Sequence, residues 1–224
     1  MNLNIDILAF SPHPDDAELG AAGFLLEMKK KGYTTGIIDL TKGEMSSTAS
    51  AETRISESKK AAQILDLEVR ENLNMGDSKL TDMHKPRLEV AHVIREYKPR
   101  VVLAPYWNDR HPDHGACSLM VKYAVLYARL KKLGEPHIVD HLYYYMLNSL
   151  FNPTFIIDIS QSFQKKIDVL TCYSSQFETD APYLAEYVPH ATAKALYYGS
   201  LIHCKYGEPF LAEGFLRVSD PLTL

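Results

Sequence analysis

Short apolar runs and helix-length amphipathic segments take turns along the chain, and that alternation leaves few folds open. Leu3 to Phe10 reads as a strand, Ala17 to Lys31 as a helix closed by Gly32, and Tyr33 to Leu40 as a second strand. Helices are expected over Ala51 to Leu65 and over Lys85 to Tyr97, the latter stopped before Pro99. Arg100 to Tyr106 is a further buried strand, followed by a long helix from His114 to Leu133. Strands over Val139 to Leu147 and Thr154 to Ile159 come next, then a mostly helical last third with a final strand near Phe215. Repeated βα units imply a single α/β domain over residues 1–224. Its sheet is Rossmann-like and mostly parallel, with helices on both faces. In such sheets the working residues gather on loops beyond the carboxyl ends of the strands.

Composition narrows the class. The chain has 224 residues, 46% hydrophobic and 23% charged, an ordinary globular mix with enough length for a sizeable core. The 24 basic residues are outnumbered by 28 acidic ones, so nucleic acid is not expected as the main partner. No apolar window is long enough to span a bilayer, and no membrane partner is expected. The N-terminal MNLNIDILAF reads as a first strand rather than a signal peptide, having no cationic head. Cys117, Cys172 and Cys204 are odd in number and far apart, which points to a reducing, cytoplasmic location.

Two loops carry the chemistry. After the first strand comes Ser11-Pro12-His13-Pro14-Asp15-Asp16-Ala17-Glu18. One of its aspartates could simply cap the following helix, but a cap needs neither a second carboxylate nor a histidine. Gly20, Gly23 and a strand-end Asp39 suggest a dinucleotide fold. That reading fails, because the loop lacks GxGxxG and sets prolines and carboxylates where a pyrophosphate would sit. The second loop follows RVVLAPY and reads Trp107-Asn108-Asp109-Arg110-His111-Pro112-Asp113-His114-Gly115.

If the two strands are neighbours, the loops meet. Two imidazoles and one carboxylate then make a zinc site with its fourth position left for water, a catalytic rather than a structural pattern. Such a water has a pKa near ~7. Spacing alone leaves open whether Asp15 or Asp16, and whether His111 or His114, is the ligand. The same donors suit ferrous iron (Fe2+) as well as Zn2+.

The HPDD turn paired with HPDH resembles the LmbE-like (PIG-L) family of zinc-dependent N-acetylglucosamine deacetylases. Softer matches are IIDLTKGEMSS (Ile37 to Ser47), Thr53-Arg54, PYWNDRHPDHG, YYYM (Tyr143 to Met146), FIIDIS (Phe155 to Ser160), YSSQF (Tyr173 to Phe177) and AEGF (Ala212 to Phe215). They point to the branch that acts on N-acetylglucosaminyl malate in bacillithiol biosynthesis. The resemblance implies His13, Asp16 and His114 as metal ligands and Asp15 as general base. It implies His111, in its protonated form, as the group that stabilises the oxyanion, with Asp113 as its orienting partner. Arg54 and Arg110 become candidate substrate contacts, each able to clasp a carboxylate of the malate. A homo-oligomer is also implied, since members of the family are often hexamers. The chain departs from many relatives at Ser11-Pro12 and at Leu211 before AEGF.

The remaining residues read more plainly. Glu44 is expected to brace its loop, Tyr143 to Tyr145 to pack the sheet, and Cys117 to fill a small buried space. His190 is a candidate to reach the site from the C-terminal segment. Three other functions compete with the malate reading: deacetylation of another N-acetylglucosamine conjugate, a metal-dependent phosphoesterase, and a sugar-binding module with a structural zinc. The phosphoesterase would need a second full ligand set, and the binding module has no use for a spare carboxylate at the metal.

Overall fold

The structure, a computed structural model, describes residues 4–177 and 187–217. Seven strands form one sheet: β1 (Ile7–Ser11), β2 (Thr35–Asp39), β3 (Val69–Asn72), β4 (Val101–Pro105), β5 (His141–Tyr145), β6 (Phe155–Asp158) and β7 (Gly207–Ala212). Their order is β3-β2-β1-β4-β5-β7-β6. The first five are parallel, and β7 runs antiparallel to both β5 and β6. The expected mostly parallel α/β sheet is therefore what the chain forms.

Strand alternation divides the core in two. Leu8, Phe10, Val102 and Tyr144 point to one face, where they meet α3 (His84–Tyr97) and α4 (Pro112–Ala128). Ile7, Ala9, Leu103 and Tyr145 point to the other, against α1 (Asp16–Lys30), α2 (Ala51–Leu65) and α5 (Phe163–Thr171). A short helix, α6 (Ser174–Phe177), and α7 (Tyr187–Leu201) complete the described helices. As expected, Tyr144 and Tyr145 pack the sheet on opposite faces and Cys117 is buried. Gly20 is there for packing: a Cβ on it would stand 2.2 Å from Tyr145 Cδ2.

Several boundaries differ from the sequence reading, each for a physical reason. The start of the first strand candidate, at Leu3, lies outside the described residues, as does part of the helical last third. Strand β3 escapes a pattern search because VREN is polar, and as an edge strand it is only partly buried. The last strand lies at Gly207–Ala212 rather than near Phe215, which is fully exposed. Its sequence, GEPFLA, hides it by carrying a proline and a glutamate. Helix α4 starts two residues early, with Pro112 in its first turn, and stops at Ala128; Lys131–Leu133 is a separate 3₁₀ turn.

Glu208, on β7, reaches into the middle of α1. It accepts hydrogen bonds from the backbone N–H groups of Gly23 (2.9 Å) and Phe24 (2.6 Å). Lys166 Nζ pairs with it at 2.5 Å and donates to the Leu19 carbonyl at 2.8 Å. The ion pair thus bonds backbone groups of α1 and ties that helix to α5 and β7.

Candidate metal centre and active site

The chain turns back on itself at β1. It leaves by α1 toward β2 on one side and returns through α3 to β4 on the other, so the seam between β1 and β4 is the switch point of the sheet. Ile7, Leu8 and Ala9 pair with Val101, Val102 and Leu103 across it. Both motif loops therefore open at the same place, although they are separated by about a hundred residues.

His13, Asp16 and His114 are buried there and offer one donor atom each, all within 4.8 Å of one another. His13 Nδ1 lies 3.0 Å from Asp16 Oδ2, and His114 Nε2 lies 3.3 Å from Asp16 Oδ1. A second trio, His13, His111 and Asp113, meets the same limit but shares His13. Two independent ligand sets are therefore not formed by these groups, which weakens the two-metal phosphoesterase reading. The donor chemistry, two imidazoles and a carboxylate, fits a divalent cation.

The electrostatics agree. Burial works against a charge on His13, yet the carboxylates of Asp113, Asp16 and Asp77 outweigh it and push the ring up to about 12. Burial opposes a charge on His114 as well, but Asp16 and Asp109 raise it to about 9. The same imidazoles hold Asp16 well below the usual carboxylate range against its own burial. Carboxylates that hold protons on two buried histidines are a site built for positive charge, which a cation supplies in their place.

Asp15 sits at the N-cap of α1 with φ 117° and ψ −27°, a conformation rare for any residue but glycine. It makes no side-chain cap bond, so the capping reading of this aspartate does not apply. The turn is held from several sides. Ser11 Oγ donates to the His13 carbonyl (2.6 Å) and accepts from the Ala17 N–H (3.0 Å), giving the unusual serine a structural task. Arg54 Nη2 bonds the Pro14 carbonyl and pairs with Asp15 Oδ1 at 2.9 Å. Its Nη1 donates to Gln176 at 3.2 Å. Gly43, at φ +65°, lets the guanidinium pass, since a Cβ there would come within 2.8 Å of it. Burial lifts the Asp15 carboxyl to about 7, with Arg54 pulling the other way.

His111 is the N-cap of α4, and its Nδ1 accepts from the Asp113 N–H at 3.2 Å. The ring proton then belongs on Nε2. Burial and the neighbouring His114 and His13 lower its pKa below the ordinary value. Asp113 does contact His111, but through its backbone; its carboxylate accepts from the Ser78 N–H (2.8 Å) and lies 3.2 Å from His13 Nε2.

His13, Asp15, Asp16, Arg54, Arg110, His111 and His114 all border one cavity of about 370 Å³. Asp113 stands behind His13 and does not line it. Four further participants had not been singled out. Asp109 Oδ1 is 3.0 Å from His114 Nδ1 and accepts from the His111 N–H at 2.9 Å; the signal was a second acid inside the same loop. Asp77 Oδ1 is 3.2 Å from His13 Nε2, and no local pattern announces it. Gln176 and Tyr187 close the cavity from the C-terminal segment. Glu44 braces its loop as expected, accepting from the N–H groups of Lys42 and Asp77.

Residues 8–125 match the PIG-L family, described as GlcNAc-PI de-N-acetylase. The diacetylchitobiose deacetylase of Thermococcus kodakarensis is 30% identical over 220 residues, covering 90% of this chain and 80% of that protein. The crystal structure of the conserved protein TT1542 from Thermus thermophilus superposes with a TM-score of 0.90 at 39% identity, covering 96% of this chain and 98% of that one. The 4-carboxy-2-hydroxymuconate hydratase of Pseudomonas putida has a TM-score of 0.81 at 20% identity, covering 96% and 98%. That last likeness concerns the fold alone, since one scaffold hosts unrelated chemistries.

Proposed function

The chain belongs to the PIG-L family of GlcNAc-PI de-N-acetylases, and on that footing we propose that it removes the acetyl group from an N-acetylglucosamine conjugate, releasing acetate and a free amine. It is a metal-dependent amidohydrolase by family and by its His/Asp donor cluster. The observation that carries the reading is the convergence of His13, Asp16 and His114 beside a spare carboxylate, Asp15, in one cavity.

In this reading His13, Asp16 and His114 hold the cation, zinc by preference and ferrous iron as the alternative. When bound, the cation supplies Lewis-acid activation of water and of the acetamide carbonyl. Asp15 takes a proton from the attacking water, held in place by Arg54. A carboxyl near neutrality can both accept and return a proton, and the positive charge beside it keeps it ionised at the start. His111 donates its Nε2–H to the carbonyl oxygen as negative charge develops there. Asp15 then hands its proton to the leaving nitrogen, and the C–N bond breaks. Asp113 acts at one remove, fixing His13 with its carboxylate and His111 with its N–H. Arg110, on the cavity rim, contacts the substrate.

The matched relative is named for diacetylchitobiose, which favours the broader substrate reading, another N-acetylglucosamine conjugate, over N-acetylglucosaminyl malate in bacillithiol biosynthesis. The reading also takes residues 1–224 as one domain, working in the cytoplasm as a homo-oligomer, a hexamer by resemblance. No described helix is long and apolar enough to cross a membrane. The test is acetate release from a panel of N-acetylglucosaminides, before and after metal removal and zinc or iron replacement. Metal-dependent acetate release supports the reading; release of phosphate from phosphoesters with none of acetate sinks it.

A further inference from the structure

A second cavity, about 540 Å³, adjoins the first and shares Asp16, Arg110, Asn148 and Tyr187 with it. Its far wall is α7, which contributes Lys194. Lys194, partly buried, and Arg110, exposed, thus both line one space beside the reacting centre. Neither has a carboxylate partner among the described residues. Lys194 Nζ donates to the Leu147 carbonyl at 2.7 Å, and Arg110 Nη2 donates to Asn148 Oδ1 at 3.3 Å. An ammonium has three donors and a guanidinium five, and these bonds engage one nitrogen of each side chain. The setting strains the lysine: burial pulls it down from 10.5 to about 8 and Lys166 pushes the same way, against a weaker pull upward from Asp109. Where other buried cations of this chain have acids, as Arg70 has Asp39 and Glu18, Lys194 has a carbonyl. A partly desolvated ammonium without a close ion-pair partner is stabilised by an anion placed beside it.

We infer that this second cavity is an anion subsite in which Lys194 and Arg110 hold a carboxylate next to the deacetylation site. The carboxylate has two possible sources: the aglycone of the conjugate, or the acetate that the reaction releases. The assignment rests on the deacetylase reading only for its biological meaning; the anion site itself can be tested without turnover.

Binding of acetate and of succinate to the full chain is measured by calorimetry, with and without a chelator, for the wild type, Lys194→Met and Lys194→Arg. Carboxylate binding that survives the chelator, weakens on the order of tenfold in Lys194→Met and is retained in Lys194→Arg is the expected result. Binding that vanishes with the chelator, or that ignores Lys194→Met, overturns the inference. Kinetics then separate the sources. If the aglycone supplies the anion, Lys194→Met raises KM for a carboxylate-bearing N-acetylglucosaminide and leaves that for a neutral one in place. If acetate supplies it, both KM values hold and only product inhibition by acetate weakens. Should no glucosaminide release acetate while Lys194-dependent binding persists, the deacetylase reading fails and the subsite stands. Should deacetylation proceed with no such binding, the reverse holds.

Discussion

Asp109 Oδ1 lies 3.0 Å from His114 Nδ1, and this one contact turns the opposite nitrogen of the ring toward Asp16. The carboxylate is itself fixed, accepting from the N–H groups of His111 and Asn148 at 2.9 Å each. A carboxylate behind a ligating histidine sets its tautomer and raises its basicity. Asp109→Asn is therefore expected to weaken metal binding by roughly 10–100-fold with the fold intact. Chelator competition followed by metal analysis checks this, with circular dichroism as the control; unchanged affinity would remove Asp109 from the centre.

Asp15→Asn separates proton transfer from metal binding. The amide cannot accept the proton, while the three donors His13, Asp16 and His114 are untouched. Metal content is expected to hold and turnover to fall by about 10²–10⁴-fold, the usual range for a lost acid–base group. Acetate release by the metal-loaded variant at the wild-type rate would exclude Asp15 as the base.

The buried Lys166–Glu208 pair makes a stability prediction. Both side chains are almost wholly inaccessible, and Glu208 also carries two backbone N–H groups of α1. Glu208→Ala leaves Lys166 buried without its partner and is expected to cost roughly 3–5 kcal/mol in denaturant unfolding. Replacing both, as Lys166→Met with Glu208→Leu, is expected to recover part of that loss. A single variant as stable as the wild type contradicts the assignment.

Lys194 gives a pH signature. Its folded pKa, about 8, lies below the ordinary 10.5, so between these values the unfolded chain binds more protons than the folded one. Stability from this group therefore rises with pH across that window, and the deficit is fully present below pH 8. Lys194→Met is expected to be the more stable protein at pH 7, with its advantage shrinking toward pH 10.5. Thermal melts of both proteins across that range decide it; an advantage that does not change with pH would refute the assigned titration.

The legible part of this molecule was its local part. Helix α2 matches its expected range because Ser50 caps it and its apolar spacing is regular. The donors of the two loops could be listed because each motif is contiguous. Contacts across distant loops could not be seen. Asp77 and Asp113 converge on His13 only because the 77–78 turn folds over the seam between β1 and β4. The downward shift at His111 was hidden for the same reason: it follows from burial and from neighbouring imidazoles, not from its own sequence. Strands β3 and β7 were missed or displaced because their polar residues are satisfied by tertiary partners. Arg70 is paired with Asp39 and Glu18, and Glu208 with Lys166.

The backbone at Asp15 gains nothing from being an aspartate. Glycine would occupy φ 117° without steric conflict and would free a conformational cost of about 1–3 kcal/mol. The same change would strip the buried Arg54 of its carboxylate, a loss that opposes the torsional gain. The uncomfortable pose of Asp15 thus has its counterweight in the guanidinium that faces it, so torsion and charge are balanced at one residue.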